Sequence, residues 1–332
     1  MKIEHRTNEY AHSFGLGKAL MVEMDKALSR KISAWFAMSR LPFHTVGILP
    51  FLLGIVIARS QGYSLNFPVG ILSASAVVLI MLATYYSGEF YDYETDCLNT
   101  SFNKFSGGTR VLTHGMIPKE QALIASLLCL IGAAAIGLLL FFYFRTGPYT
   151  LPLGAFGMVC GFFYSSKPFQ WAYRGVGETL IGLCYGWLTV NTGYYLQSRQ
   201  FDFLPTIVSI PIGISIFLVI LINEFPDHPS DRVSGKRNLV VRLGWEKASW
   251  LYATLSAACF VIILLGIFHG VPKIIAAFST IPLIFIARNL LSIKKREFLK
   301  EKLLERLCAR TFLLNLGITF FYIIAFLGQH KP

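Results

Sequence analysis

Long apolar stretches recur along this 332-residue sequence, and they restrict its fold more than any other feature. Nine of them approach the length that a helix needs to cross a hydrocarbon layer of ~30 Å. Backbone amides in lipid must be hydrogen-bonded within the protein, and the runs do not alternate as barrel strands do. We therefore predict an all-α, polytopic membrane bundle of nine transmembrane helices. The predicted spans are residues 42–59, 67–87, 121–143, 149–166, 176–197, 203–223, 249–268, 272–291 and 311–329.

Charged residues are scarce and unevenly placed. They make up 14% of the chain against 54% hydrophobic residues, which is too little charge to cover a soluble domain. The net charge of +12 is spread between the apolar stretches instead of being gathered on one domain, so we expect no nucleic-acid partner. If the nine helices cross the membrane in alternating directions, 25 of the 30 Lys and Arg residues lie on the same side as the N-terminus. The positive-inside rule predicts that this side is cytoplasmic.

Apolar residues recur at helical spacing between residues 17 and 40, with basic residues elsewhere around the helix. This pattern is typical of an amphipathic helix lying on the membrane surface. We therefore divide the chain into a cytoplasmic amphipathic segment, 1–41, and a nine-helix transmembrane domain, 42–332. The apolar face of the predicted helix consists of Leu20, Met24, Leu28, Ile32 and Trp35.

An acidic pattern occurs twice, and each copy follows an apolar stretch that ends on the predicted cytoplasmic side. The copies are Glu89-x-x-Asp92-x-x-x-Asp96 and Glu224-x-x-Asp227-x-x-x-Asp231, each followed by Ser-Gly and a basic residue. On a continuous helix, positions i, i+3 and i+7 share one face, so each triplet is expected to form a stripe of carboxylates. Because both motifs emerge on one side of the membrane, we expect them to face each other across one site.

Crowded carboxylates repel one another and need a positive partner. Two facing stripes of hard oxygen ligands suit Mg²⁺, which shares its coordination shell with substrate phosphates. Basic residues beside the motifs could hold the non-bridging oxygens of a diphosphate. We predict a Mg²⁺ site that includes Glu89, Asp92, Asp96, Glu224, Asp227 and Asp231. The candidate diphosphate-binding residues are Lys104, Arg110, Arg232 and Lys236.

The sequence resembles the UbiA superfamily of intramembrane prenyltransferases at these motifs. GEFYDYETD (88–96) is similar to the first aspartate motif of that family, and NEFPDHPSDRVSGKRNLVVRLG (223–244) is similar to the second. The resemblance implies a central cavity in which Mg²⁺ bridges both motifs and a polyprenyl diphosphate, with Asn223 as a further ligand. The sequence departs from the family pattern at Gly88-Glu89, where the family has an Asn-Asp pair, so Gly88 removes one possible ligand and Glu89 has a longer side chain than the usual aspartate.

Three further stretches, RLPFHTVGILP (40–50), SGGTRVLTHG (106–115) and YRGVGE (173–178), resemble the 1,4-dihydroxy-2-naphthoate polyprenyltransferases of menaquinone biosynthesis. The acceptor remains open, since other branches prenylate 4-hydroxybenzoate, homogentisate, haem, chlorophyllide or glycerol-phosphate lipids. Arg40 joins the diphosphate-binding candidates, and the ring of Tyr164 is the candidate for stabilising an allylic cation. The resemblance implies an enzyme of a bacterial or archaeal cytoplasmic membrane. A cation-coupled transporter is a remote alternative, since no acidic residue lies at the middle of a span.

Overall fold

The computed structural model describes residues 23–26, 28–100 and 102–329, and every regular element in these ranges is helical. The helices are α1 (28–38), α2 (Thr45–Ser60), α3 (Phe67–Tyr91), α4 (Tyr93–Leu98), α5 (Lys119–Phe142), α6 (Thr150–Phe162), α7 (Gly177–Gly182), α8 (Thr189–Ser198), α9 (Phe203–Asn223), α10 (His228–Ser234), α11 (Leu239–Leu265), α12 (Ile275–Phe278), α13 (Thr280–Lys294) and α14 (Glu301–Leu327). A π-helical segment, Leu183–Leu188, joins α7 to α8. Short 3₁₀ turns occupy Leu41–His44, Trp171–Tyr173, Gly266–His269 and Glu297–Leu299.

The predicted all-α polytopic bundle is confirmed, but the count of nine spans is not. Seven helices of the described chain are long and apolar enough to cross a membrane. The fourth apolar stretch gives only the 13-residue α6, which contains a proline and three glycines. The fifth stretch is divided by the π-helical segment between α7 and α8. Apolar length in the sequence therefore overstated the length of regular helix at these two places.

Polar caps and glycines set where several helices begin and break. The side chains of Asn66, Asp202 and Asn238 accept backbone N–H groups at the starts of α3, α9 and α11, which satisfies donors that the first turn leaves free. Gly244 interrupts α11 with a positive φ of 74°. The residues of α11 before Gly244 consequently form a separate short turn, which packs beside the second acidic motif.

Helix α9 lies at the centre of the bundle. In its most apolar window 61% of the residues are buried, against 17% for α5 at the periphery. The neighbours of α9 are α2, α7, α8, α11 and α14. Because the second acidic motif starts at the end of this central helix, its carboxylates emerge close to the axis of the bundle.

Small residues let α2 and α8 approach until their backbones touch. A Cβ atom on Gly54 would lie 2.0 Å from the carbonyl oxygen of Val190, and one on Gly193 would lie 2.1 Å from that of Phe51. Small residues at helix interfaces permit this packing in membrane proteins, where apolar burial against lipid contributes little.

The described part of the N-terminal segment packs partly on the bundle. Ala34 and Met38 are buried, and the Trp35 ring meets the Tyr86 ring edge-on at 5.5 Å. Met24, Leu28 and Ile32 are exposed, whereas Leu20 lies outside the described residues. The surface-lying amphipathic helix and the division at residue 41 stay predictions.

Gly54→Ala is expected to destabilise the bundle by about 1–3 kcal/mol, because the added methyl group forces α2 and α8 apart. Gly154→Ala in α6 is the matched control, since a Cβ there has open space and alanine favours a helix. Thermal unfolding in detergent checks this: the Gly54 variant should melt several degrees lower and the Gly154 variant no lower than wild type. Equal melting temperatures would contradict the close contact.

Candidate active site

The two acidic motifs meet at one end of the bundle, but neither forms one continuous helical stripe. Helix α3 ends at Tyr91, Asp92 has non-helical ψ of 0°, and α4 begins at the next residue. The second motif likewise passes from α9 through a turn into α10. The short helices α4 and α10 pack against each other, so the prediction that the motifs face one another is confirmed. Despite these breaks, all six acidic residues of the two motifs line one cavity.

Glu89 binds neighbouring parts of the protein with both carboxylate oxygens. Its Oε1 accepts hydrogen bonds from Arg40 Nη2 at 3.0 Å and from the backbone N–H of Thr109 at 2.9 Å. Its Oε2 accepts the Thr109 hydroxyl at 2.9 Å. The side chain is buried, so Glu89 and Arg40 form a buried ion pair that secures the loop after the first motif. Both residues also line a cavity with the aspartates of the two motifs, and their roles in diphosphate and metal binding stay predictions.

Asp92 and Asp227 are oriented by hydrogen bonds from residues outside their own motifs. Asp92 Oδ1 accepts the Tyr173 hydroxyl at 2.7 Å, and its Oδ2 accepts the Ser165 hydroxyl at 3.2 Å. Asp227 accepts Asn99 Nδ2 at 2.7 Å and the backbone N–H of Gly107 at 3.2 Å. The second of these sets joins the loop that follows the first motif to the second motif, and it holds the two halves of the site together.

Asp96 is crowded by other carboxylates. Burial, and then the charges of Asp92 and Glu89, raise the pKa of Asp96 to about 8. Its Oδ2 approaches Gly108 so closely that a Cβ there would lie 2.2 Å away, and Gly108 has a positive φ of 69°. The glycine therefore makes room for the carboxylate. The raised pKa indicates that too little positive charge surrounds the Asp96 carboxyl group to stabilise its ionised form.

Lys236 is the base that the structure places among the aspartates. Its Nζ lies 3.9 Å from Asp231 Oδ1 and 5.3 Å from the centre of the Tyr173 ring. Burial opposes its charge, but Asp92 and Asp231 outweigh this and raise the pKa of Lys236 well above its usual range. Asp231 also accepts a hydrogen bond from buried Asn238 at 2.7 Å. Burial raises the pKa of Asp231 to about 6, and burial also raises the pKa of Asp227.

Arg40 lines the same cavity as Lys236, whereas the other three predicted bases do not. Lys104 is 85% exposed and points toward Glu305, and Arg232 is exposed. Arg110 donates to the backbone carbonyls of Asp96 and Asn99, and it stacks on the Phe102 ring. Proximity in sequence placed these three residues at the diphosphate site, whereas the helix breaks turn them away from it. Arg110 stabilises the loop from within.

Two cavities meet beside Tyr164. A polar cavity of about 220 Å³ is lined by residues of both motifs, including Asp92, Asp227 and Lys236. A second cavity of about 320 Å³ extends among α3, α5, α6 and the α7–α8 segment, and its lining is almost entirely apolar. The residues that line both are Thr84, Tyr164, Ile181 and Tyr185.

The donor set fits Mg²⁺ that is shared with a substrate, but not a metal held by protein alone. Within the described residues, no three His, Cys, Asp or Glu side chains converge closely enough to form a complete metal cage. Mg²⁺ commonly takes only one or two carboxylates and completes its shell with water and phosphate oxygens. Aspartates lie on both sides of the polar cavity, and the raised pKa of Asp96 indicates a lack of positive charge there. Both observations match that mode of binding.

Several residues of the site were not predicted from the sequence. Asn99, Tyr173 and Asn238 hold the aspartates, and none belongs to the repeated pattern. Glu178 is buried beside Glu224, and the carboxyl groups interact. Burial and Glu178 together raise the pKa of Glu224 well above its usual range. The signal for Glu178 was present, because an acidic residue at the end of an apolar span is rarely there without a function.

Comparison with known proteins agrees with this site. Residues 47–325 match the UbiA prenyltransferase family. The chain is 26% identical over 242 residues to a 1,4-dihydroxy-2-naphthoate octaprenyltransferase of Bacillus subtilis, covering 72% of this chain and 75% of the relative. The chain is an integral membrane protein and belongs to the UbiA prenyltransferase family. It is thus a prenyltransferase, and naphthoate octaprenyltransferases are among its relatives.

Solved structures share the fold at low sequence identity. The apo structure of a UbiA homolog from Aeropyrum pernix K1 has a TM-score of 0.61 and 19% identity, covering 84% of this chain and 95% of the homolog. A UbiA homolog from Archaeoglobus fulgidus bound to DMAPP and Mg²⁺ has a TM-score of 0.59 and 15% identity, covering 86% of this chain and 99% of the homolog.

Glu89→Gln is expected to lower stability by about 1–3 kcal/mol, because it removes the charge that pairs with Arg40. It should leave the Mg²⁺ concentration for half-maximal activity unchanged, since the hydrogen bonds of Glu89 go to the protein. Thermal unfolding and Mg²⁺ titration of activity measure the two effects, and Glu94→Gln, at an exposed position, is the control. A large shift in the Mg²⁺ requirement with no loss of stability would instead make Glu89 a metal ligand.

Proposed function

We propose that this enzyme transfers a polyprenyl chain from a polyprenyl diphosphate to an aromatic acceptor in a Mg²⁺-dependent reaction. The observation that carries this proposal is the junction of a polar, aspartate-lined cavity with an apolar cavity at Tyr164. A prenyl diphosphate has the matching division: its head is anionic and binds metal, and its tail is a hydrocarbon.

The acceptor that we favour is 1,4-dihydroxy-2-naphthoate, as in quinone biosynthesis. The Bacillus subtilis relative carries this activity in its name and aligns over 72% of the chain. The likeness of 40–50, 106–115 and 173–178 to the naphthoate branch supports the same acceptor. An acceptor such as 4-hydroxybenzoate or a glycerol-phosphate lipid is the alternative, and product analysis with a panel of acceptors separates them.

The residues of the polar cavity would hold the diphosphate head. When bound by aspartates of both motifs, Mg²⁺ supplies positive charge that offsets the charge of the leaving diphosphate. Lys236 lies in the same cavity with its charge stabilised by Asp92 and Asp231. Asn99, Tyr173 and Asn238 fix the carboxylates in advance, so that little reorganisation is needed as charge develops.

Bond making takes place at the junction of the cavities. The C–O bond of the prenyl diphosphate breaks, and its electron pair leaves with the diphosphate. The allylic cation lies near the Tyr164 ring, where aromatic and apolar walls stabilise it and exclude water. A ring carbon of the acceptor attacks the cation, and loss of a proton, or of CO₂ from a naphthoate carboxylate, restores aromaticity.

The positive-inside distribution favours a cytoplasmic location for the polar cavity and the N-terminus, in a bacterial or archaeal cytoplasmic membrane. Soluble substrates would then reach the aspartates from the cytoplasm. The prenyl tail would enter the apolar cavity within the bilayer.

Asp92→Ala and Asp227→Ala should each lower prenyl transfer by at least about 10³-fold, since each removes a negative ligand from the diphosphate site. Both should still insert and fold, which melting in detergent can verify. Asp25→Ala, at an exposed position outside the site, is the matched control. Near-normal transfer by purified, folded Asp227→Ala enzyme would contradict a site built from both motifs.

Gly154→Leu is expected to select against long prenyl chains. Gly154 lines the apolar cavity, and a Cβ on it meets no atom within 4 Å, so a larger side chain can occupy the cavity. Transfer of a geranylgeranyl group should fall roughly tenfold or more in kcat/KM, while dimethylallyl transfer is retained. Gly154→Ala controls for the substitution itself, and equal losses for both donors would exclude this cavity as the tail site.

A further inference from the structure

Arg288 of α13 and Arg310 of α14 are cationic side chains that line neither of the two cavities. Neither arginine forms an ion pair within the part of the chain that the structure describes. Nη2 of Arg310 donates to the Ser292 hydroxyl of α13 at 2.7 Å, while its Nε is buried without a hydrogen-bond partner among the described residues. Two guanidinium groups on adjacent helices are therefore left without a counter-charge.

Both arginines lie where their helices change from apolar to charged. The 14 residues 274–287, before Arg288, and the 17 residues 311–327, after Arg310, contain no charged side chain. The segment that the two arginines bound, 288–310, contains eight Lys or Arg and three Glu, which gives it a net charge of +5. Each arginine therefore lies at the end of an apolar stretch, where a membrane helix leaves the hydrocarbon layer.

The two arginines lie close to one level, at the same end of the bundle as the acidic motifs. Ser292 is one helical turn after Arg288 on the same side of α13, so its hydrogen bond to Arg310 brings the two arginines within about one turn of each other. The loop between α13 and α14 reaches the second motif, where the Phe298 ring packs edge-on to the Phe225 ring at 5.5 Å. Both arginines are thus placed at the depth of the lipid phosphates, in the leaflet on the side of the polar cavity.

Arg288 belongs to a face of α13 that is otherwise apolar and exposed. Ile281, Ile284 and Leu291 are exposed, and their spacing from Arg288 puts all four residues on one face of the helix. In a membrane protein an exposed apolar face lies against lipid. A guanidinium on such a face is costly unless it extends to the interface and meets an anion there.

The anion that fits is the phosphate of a lipid whose headgroup has no positive charge of its own. Guanidinium N–H groups match the oxygens of a phosphate, and two arginines can bind one phosphodiester from two sides. The net charge of +5 on 288–310 attracts an anionic headgroup, whereas it repels the ammonium group of a zwitterionic lipid. The acyl chains of the same lipid would lie along Ile281 and Ile284.

We propose that Arg288 and Arg310 form a binding site for the phosphodiester of an anionic phospholipid, in the leaflet that borders the polar cavity. The site goes beyond the proposed function and does not rest on it, because lipid binding involves neither acidic motif. Its test accordingly measures binding and not prenyl transfer.

Thermal unfolding of the purified full-length protein tests the site. The protein is kept at 0.15 M salt in detergent micelles with a fixed amount of phosphatidylcholine, and phosphatidylglycerol is the probe. Phosphatidylglycerol should raise the melting temperature of wild type by several degrees, because it binds the folded protein. The double variant Arg288→Gln/Arg310→Gln should need about tenfold more phosphatidylglycerol, or more, for half of that shift, since it loses both guanidinium groups.

The matched control is Lys294→Gln/Lys295→Gln. Both lysines are exposed near the end of α13, and their replacement removes the same charge from 288–310. Because exposed charges are screened beyond about 8 Å at this salt concentration, the control should stay within about threefold of wild type. An equal loss in the two double variants would mean that net charge alone attracts the lipid, and it would overturn the site.

Two further outcomes would also overturn the proposal. One is an equal response of wild type and the double arginine variant to phosphatidylglycerol. The other is a rise in melting temperature with inorganic phosphate as large as that with phosphatidylglycerol, which would make this a site for free anions. If the double variant does not fold, Arg288→Gln against Lys295→Gln gives the same comparison, because both side chains are exposed. A larger lipid requirement for the arginine variant then supports the site, and equal requirements contradict it.

Discussion

The cost of burying carboxylates at one end of an apolar bundle shapes the rest of this structure. Seven of the 18 acidic residues lie in two segments of eight residues, 89–96 and 224–231. Such groups remain ionised only if donors or cations surround them. The loops at this end supply those partners: Thr109 and Arg40 for Glu89, Tyr173 for Asp92, and Asn99 for Asp227.

What stays uncompensated has functional meaning. Burial, and then the charges of Asp92 and Glu89, raise the pKa of Asp96, and Glu224 on the wall of the same cavity interacts with the carboxyl group of Glu178. A cation in this cavity would relieve the crowding around Asp96, which is consistent with the proposed binding of a metal ion and a diphosphate there.

The apolar half of the site depends on a different feature, the small residues of the bundle. Glycines let α2 approach α8 closely, while Gly154 and Gly157 of α6 leave room along the apolar cavity. The π-helical segment lies on the wall of the same cavity and shortens the regular helix there. The irregular spans are therefore those that line the cavity, where a backbone can depart from regular helix without facing lipid.

The sequence by itself determined the membrane bundle and the pairing of the two motifs, because apolar length and motif spacing are local properties. It could not determine the direction of each side chain. Glu89 is held by Arg40 and Thr109 and Asp92 by Tyr173, although both acids line the same cavity. Lys104 points toward Glu305 and lies outside the site despite its nearness in sequence. Only the tertiary structure brought Asn99 and Tyr173 to the aspartates and Glu178 to Glu224, since these contacts join residues 46 to 128 positions apart.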